Sequence, residues 1–388
     1  MPLFLLTACI GLNVNAVPTQ DIYADDGDTR EETGAVHFAV VGDTRAAVST
    51  DGANGRTATP ATEERIVRDI SDAIQAERLE FVVMMGNVVR GSSTAEWKAF
   101  SEDWALAISG SELPETGTMR VRVAPVAGDD DRAGDDRLRG FGAAFPGVGA
   151  DIGFNRVASW YAFDIVQKGV RYRMMVLDSD KEMLGSRWDE QLAWIPKACD
   201  GDYEGVLVFM HHPLHTLAKG EKGDAGGAPS ELLEVVEDST RIGMLKAVFA
   251  GETGTNEVYL PSGKFGEIYI VAGSSGAPAS VLQRWALIDG QDLKLEPIFD
   301  LALIREFDKW TEVRQIPEAI VDKAHAAGSY EGFTGEYDAQ HFPIQGWWDV
   351  GLLGKDMVIT FRMFDVDGKL KDIYSVNYTE KGGWKIGG

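Results

Sequence analysis

The run His37-Phe38-Ala39-Val40-Val41-Gly42-Asp43-Thr44-Arg45 constrains this chain more than any other. It is an apolar, β-branched segment that stops abruptly at Gly-Asp. A short segment filled with apolar residues fits a strand buried on both faces. Gly42 predicts a tight turn at its end, and Asp43 then projects a carboxylate from the C-terminal edge of a sheet. In open α/β sheets, ligands bind at that edge. Four later segments repeat the plan, an apolar strand and then Gly or His with polar groups. They end in Met85-Gly86-Asn87, Ala127-Gly128-Asp129-Asp130, Met210-His211-His212-Pro213 and Ala250-Gly251-Glu252-Thr253-Gly254. Such an ordered series predicts an α/β fold whose strand ends share one site.

The 388 residues suffice for one large domain or two, and the 44% hydrophobic content is that of a globular chain. Formal net charge is −24. That excludes nucleic acid as a partner, because phosphate binding needs a basic face. The acidic surplus reads as solvated surface, with cation binding by the Asp-rich loop 129–136 as the alternative. Of the two cysteines, Cys199 reads as a lone structural thiol. Cys9 closes the apolar run Met1-Pro2-Leu3-Phe4-Leu5-Leu6-Thr7-Ala8, which resembles a bacterial lipoprotein signal without its basic n-region. The expectation is a lipid anchor at Cys9 as the sole membrane contact, and a lipid-anchored or periplasmic protein of the bacterial envelope. Without that signal the chain would be cytoplasmic. No other run approaches the ~20 apolar residues of a membrane-spanning helix.

Along the chain, 1–9 reads as the signal remnant and 10–34 as a flexible acidic tether. Residues 35–298 form the main domain, and 299–388 a C-terminal extension with one helix and several strands. Ile66, Ile70, Ala73 and Ile74 mark a helix opened near Pro60; Trp97, Phe100 and Trp104 mark another over 94–108. Segments 159–165 and 171–179 predict a hairpin turning near Gly169. Helices are expected at 188–195 and 231–245. Residues 281–298 alternate like edge strands, 300–325 look partly helical, and 346–386 hold alternating strands with a turn at Asp367-Gly368. Trp347-Trp348 reads as packing of the extension, or as a ligand-stacking pair. Ser274 and Ser275 carry no nucleophile pattern.

The order of strand-end motifs resembles the calcineurin-like metallophosphoesterases, the superfamily that includes purple acid phosphatases. That family's pattern is Asp-x-His, Gly-Asp-x-x, Gly-Asn-His-Asp/Glu, His and Gly-His-x-His. This chain has Asp43-Thr44-Arg45, Gly86-Asn87, Gly128-Asp129-Asp130-Asp131, His211-His212 and Gly251-Glu252-Thr253-Gly254. Leu177-Asp178-Ser179 followed by Gln191 to Ile195, and Gly273 to Pro278, also match. The likeness spans about residues 35–290. It implies a four-layer α/β/β/α sandwich, here with a C-terminal β-rich extension.

The resemblance also implies where two metals would sit, sharing the Asp of the second motif and activating a bound hydroxide. Three positions of the first metal are Asp43, Arg45 and Gly254. Arginine has no lone pair to offer and glycine no side chain. Positions of the second are Asn87, Asp129, His211 and Glu252, each with a lone pair. That donor set suits one Mn²⁺, Mg²⁺ or Ca²⁺ ion over a thiolate-type zinc site, with Fe or Zn also open, or no metal at all. The catalytic His of the family is Asp130, a residue ionised at neutral pH unless its pKa rises. Arg45 is expected to stand where the first metal would be, with Asp43 and Asp130 as partners. His212 and His215 are expected behind the site or beside substrate.

The resulting reading is a divergent phosphoesterase with an altered, at most mononuclear site, acting on a phosphorylated small molecule. Its alternatives are an inactive pseudophosphoesterase that binds a phosphorylated or protein partner at the membrane, and a tethered protein whose C-terminal strands are the interaction module.

Overall fold

The computed structural model describes residues 34–42, 44, 60–76, 78–104, 123–134, 138–145, 159–216, 224, 227–253, 256–261, 264, 266–273, 275, 310–315, 346–364 and 370–387. The expectations for 1–33, Asp43, Arg45, Gly254, 281–298 and the turn at Asp367-Gly368 lie outside these.

Among the described residues, two seven-stranded mixed sheets face each other. The first contains β1 (Val36–Val41), β2 (Phe81–Met84), β3 (Val123–Pro125), β11 (Gly346–Leu353), β12 (Asp356–Phe364), β13 (Leu370–Thr379) and β14 (Gly383–Ile386). Its order is β14-β13-β12-β11-β1-β2-β3, with β1, β2 and β3 parallel and β11 antiparallel to β1. The second contains β4 (Tyr161–Gln167), β5 (Val170–Val176), β6 (Gly205–Met210), β7 (Leu245–Ala250), β8 (Asn256–Pro261), β9 (Ile268–Ala272) and β10 (Trp310–Gln315). Its order is β10-β8-β9-β7-β6-β5-β4.

Strand alternation explains why these runs are apolar throughout. Inward residues such as Phe38, Phe81, Phe209 and Phe249 fill the space between the sheets. The Phe38 and Phe81 rings stack at 4.8 Å, and those of Phe209 and Phe249 at 5.2 Å. Outward residues meet helices. Ala39, Val41, Val82 and Met84 pack under α1 (Pro60–Gln75), α2 (Thr94–Asp103) and α3 (Arg139–Ala144). Val206, Val208, Met210 and Val248 pack under the longer helices α5 (Arg187–Cys199) and α6 (Ala228–Ser239). One-turn α4 (Lys181–Leu184) precedes α5. The chain is thus a four-layer α/β/β/α sandwich, and the C-terminal β-rich extension continues its first sheet.

Several local features follow from named residues. A capping box starts α2: Ser93 N–H donates to Glu96 at 2.9 Å and Glu96 N–H to Ser93 Oγ at 3.3 Å. The β4–β5 hairpin turns through Lys168 (φ 51°) and Gly169 (φ 71°), the two positive values of a tight hairpin turn. Gly42 serves a close approach: a Cβ there would lie 1.4 Å from the carbonyl oxygen of Ala272 on β9. Ser275 explains why that approach holds. It binds the Gly42 backbone in both directions, at 2.9 and 3.1 Å, and donates to Gly346 O at 2.7 Å.

Three readings of the sequence are corrected. Residues 310–315 are a strand, because the open edge of β8 offers an antiparallel partner. The helix expected over 231–245 runs from Ala228 to Ser239; Gly243 (φ 78°) ends its connection and Leu245 opens β7. The helix expected to stop at Ile195 continues through Pro196 to Cys199, because Ala198 and Cys199 bury their side chains on the second sheet. Trp347 and Trp348 are both buried, one under the helices of the first sheet and one between the sheets, so they pack the extension.

Candidate metal centre

The parallel strands of both sheets end at one edge, and the loops leaving them meet across the seam. β2 leads to Gly86-Asn87, β3 to Gly128-Asp129, β6 to His211-His212 and β7 to Gly251-Glu252. The backbones come very close there. A Cβ on Gly86 (φ 91°) would stand 2.5 Å from His211 Nδ1 and 2.9 Å from Gly128. Asn87 (φ 50°) and Glu252 (φ 72°) both adopt the left-handed conformation, which few non-glycine residues occupy. Such backbone persists where surrounding structure over-determines it, often at functional sites.

His211 and Asp129 form the centre. His211 is fully buried; its Nδ1 lies 2.7 Å from Met85 O, and its Nε2 lies 3.2 Å from Asp129 Oδ1. The first contact requires the proton on Nδ1, since a carbonyl can only accept. Burial pulls the His211 pKa down, but the Asp129 hydrogen bond, the Glu252 and Asp129 charges and the Met85 carbonyl outweigh it and raise it to about 9. Asp129 is held well below the ordinary carboxylate range, first by its hydrogen bond with His211, against the pull of burial. The Asn87 side chain also supports Asp129, while its Oδ1 accepts Asp130 N–H at 3.0 Å.

The sequence reading missed the layer behind this pair. Asp131 is fully buried and accepts the amide N–H groups of Val88 (2.9 Å), Val89 (3.2 Å) and Gly128 (3.0 Å). Burial raises its pKa to about 6 against those three bonds and the His211 charge. Its signal was available, since Asp131 fills the acidic fourth place of the third motif. Arg132 forms a buried ion pair with Asp178 across the seam. Gln191 clasps the Asp178 backbone with two 2.8 Å bonds. No motif marks Arg132, Asp178 and Gln191 as one network.

Of the expected site residues, Asn87, Asp129 and His211 come together, and the charge of Glu252 acts on His211. Asp130 contributes its backbone to Asn87. His212 sits beside His211, ring centroids 5.1 Å apart, with Nδ1 2.8 Å from Ser179 Oγ. Burial, then the His211 charge, lowers its pKa to about 3, so it is neutral. His215 packs instead on Tyr259 and Tyr269, with centroids at 5.9 and 6.0 Å. Asp43 and Arg45 are not among the described residues.

The fit to a metal can be tested on these contacts. Ligands in adjacent positions around a divalent ion, each about 2.1 Å from it, stand about 3 Å apart, close to the Asp129–His211 separation. A ligating imidazole ordinarily donates its other N–H to a carbonyl or carboxylate, as His211 does to Met85. These two residues therefore fit. Asn87 fits less well, since Asp130 N–H uses one lone pair of its amide oxygen. Among the described residues, no three His, Cys, Asp or Glu side chains gather as a ready ligand group.

No family model matches this sequence, and no curated protein is significantly similar to it. Solved structures do match its fold. A purple acid phosphatase, PPD1 from yellow lupin (Lupinus luteus) seeds, superposes with TM-score 0.54 at 13% identity. The match covers 89% of this chain and 54% of the lupin protein, so the chain spans about half of that relative's length. GAP50, the anchor in the inner membrane complex of Plasmodium, matches with TM-score 0.48 at 13% identity over 88% of this chain and 89% of its own. A dimetal phosphatase from Danio rerio matches with TM-score 0.47 at 13% identity over 88% and 99%. The fold is that of the metallophosphoesterases.

Proposed function

We propose that this chain is a divergent phosphoesterase that works with at most one divalent cation. Asp129 and His211 would hold the ion, with Glu252 and the remaining lone pair of Asn87 completing its shell. When bound, the ion would act as a Lewis acid that polarises a phosphoryl oxygen. Arg45, at the position that holds a metal ligand in the resembled family, would supply fixed positive charge to the phosphate beside Asp43 and Asp130. The substrate class is a phosphorylated small molecule, and a lipid anchor at Cys9 would hold the protein at the bacterial envelope.

The observation behind this reading is the state of His211. Its Nδ1 is committed to Met85 O at 2.7 Å, so Nε2 faces Asp129 across the seam. That spacing fits two ligands of one cation, with Nδ1 already held by a carbonyl as in a ligating imidazole.

Elemental analysis and Mn²⁺ titration of the full chain test it, on wild type and on His211→Ala. One equivalent of metal in wild type and none in the variant, with phosphomonoester hydrolysis following metal content, is expected. A wild type that takes up no Mn²⁺, Mg²⁺, Ca²⁺, Zn²⁺ or iron would overturn the reading. The pseudophosphoesterase, binding phosphorylated or protein partners, would then replace it.

A further inference from the structure

We propose that the buried Arg132–Asp178 ion pair is a strut that sets the spacing of Asp129 and His211 across the seam. This stands on geometry alone and holds whether or not the pair takes up a metal.

The contacts around the pair form a closed ring. Asp129 begins a single 3-10 turn, Asp130–Arg132, in which Arg132 N–H donates to Asp129 O at 3.1 Å. That turn fixes the Asp129 backbone relative to the base of Arg132. The Arg132 guanidinium then crosses from the first sheet to Asp178, which follows β5 in the second. The next residue, Ser179, accepts His212 N–H at 2.9 Å and lies 2.8 Å from His212 Nδ1. The Ser179 hydroxyl thus engages both the backbone N–H and the ring of His212. His212 adjoins His211, and His211 Nε2 closes the ring on Asp129 at 3.2 Å.

Both ends of the strut are held firmly. Asp178 is fully buried, with its N–H and C=O both clasped by Gln191 and with Oδ1 accepting Asp180 N–H at 3.1 Å. At the other end, Asp131 ties the turn to the amides of Val88, Val89 and Gly128. Arg132 itself is 4% exposed. A buried pair of this kind contributes little net stability against a hydrophobic pair. Asp129, by contrast, is half exposed, and its carboxylate meets only the His211 ring and the Asn87 side chain among the contacts described. Its position against a fully buried imidazole depends on the turn that Arg132 holds.

The test uses the full chain, kept metal-free with chelator so that His211 retains its Nε2 proton and labelled with ¹⁵N-histidine, which gives few signals because the sequence has six histidines. His211→Gln assigns the Nε2-bound proton of His211. Wild type should show this proton shifted downfield and protected from solvent. A single neutralising change would leave a lone buried charge and threaten folding, so the informative variant is Arg132→Gln with Asp178→Asn. That double variant should melt cooperatively yet exchange the His211 proton about tenfold faster than wild type. Ser179→Ala cuts the ring at its smallest link and should speed the same exchange without unfolding the chain. A role in stability alone would lower the melting temperature and leave the His211 signal in place. A folded double variant, or Ser179→Ala, with wild-type exchange would overturn the strut, as would a wild type lacking the protected proton.

Discussion

At the scale of single residues, the His211–Asp129 pair dictates a pH dependence whose sign is fixed. His211 titrates near 9 when folded, against 6.5 for an ordinary histidine. The folded state therefore binds the His211 proton more tightly than the unfolded chain. This contribution is fully present below pH 6.5 and is lost as pH rises through about 9; it is worth about 3 kcal/mol at most. Asp129 has the opposite shift, so its contribution is present above 3.8 and lost only in strong acid. Melting curves in chelator from pH 6 to 10 should thus show wild type losing stability across the upper half of the range. His211→Gln should lack that limb, and parallel curves for the two proteins would refute the charged pair. How the pair forms was only half legible in the sequence. His211 and Asp129 stood out because each closes an apolar strand. Their direct contact did not, because β3 and β6 belong to different sheets and only the stacking of the sheets joins them.

At the scale of elements, the strands that carry the site were legible because each is apolar on both faces and ends at Gly or His. The C-terminal strands were legible as strands but not as part of the same sheet. Nothing in the alternation of 346–386 says that β11 will pair with β1, some 300 residues upstream. The pairing is extensive: Val36 to Val40 register against Leu352 to Trp348. His37 Nδ1 meets Asp349 at 2.8 Å, and Asp349 meets Arg362 of β12 at 2.9 Å. Trp348, Val350, Ile359, Phe361 and Val376 fill the same inter-sheet core as Phe38 and Phe209. A chain ended at residue 345 would expose one edge of β1 and strip that core of one flank. It should lose cooperative folding altogether, and an isolated 299–388 segment should fare no better. Circular dichroism melts of both pieces decide this. A cooperative transition in either would show that the extension folds as a unit of its own. Edge strand β10 was misread for a related reason: its partner β8 lies about 50 residues away, and only that partner makes the segment a strand.

At the scale of the whole molecule, net charge and site make separate and separable claims on cations. A net charge of −24 repels itself in the compact state, and mobile ions relieve that repulsion within a Debye length, about 8 Å at physiological ionic strength. Any salt should therefore raise the melting temperature, by an amount set by ionic strength and indifferent to the cation's identity. A cation held at Asp129 and His211 behaves differently. It binds the folded state alone and stabilises by about 2.7 kcal/mol at one hundred times its dissociation constant, with saturation. Because His211 must give up its Nε2 proton to a metal, this increment should grow as pH rises from 7 towards 9. Melting curves in MnCl₂ and NaCl at matched ionic strength separate the two effects. Wild type should gain an extra, saturable rise with Mn²⁺, and Asp129→Asn should keep the common salt effect while losing the increment. Coincident Mn²⁺ and Na⁺ curves in wild type would mean that the acidity is diffuse surface charge. The strand ends would then hold a proton between Asp129 and His211 in place of a metal.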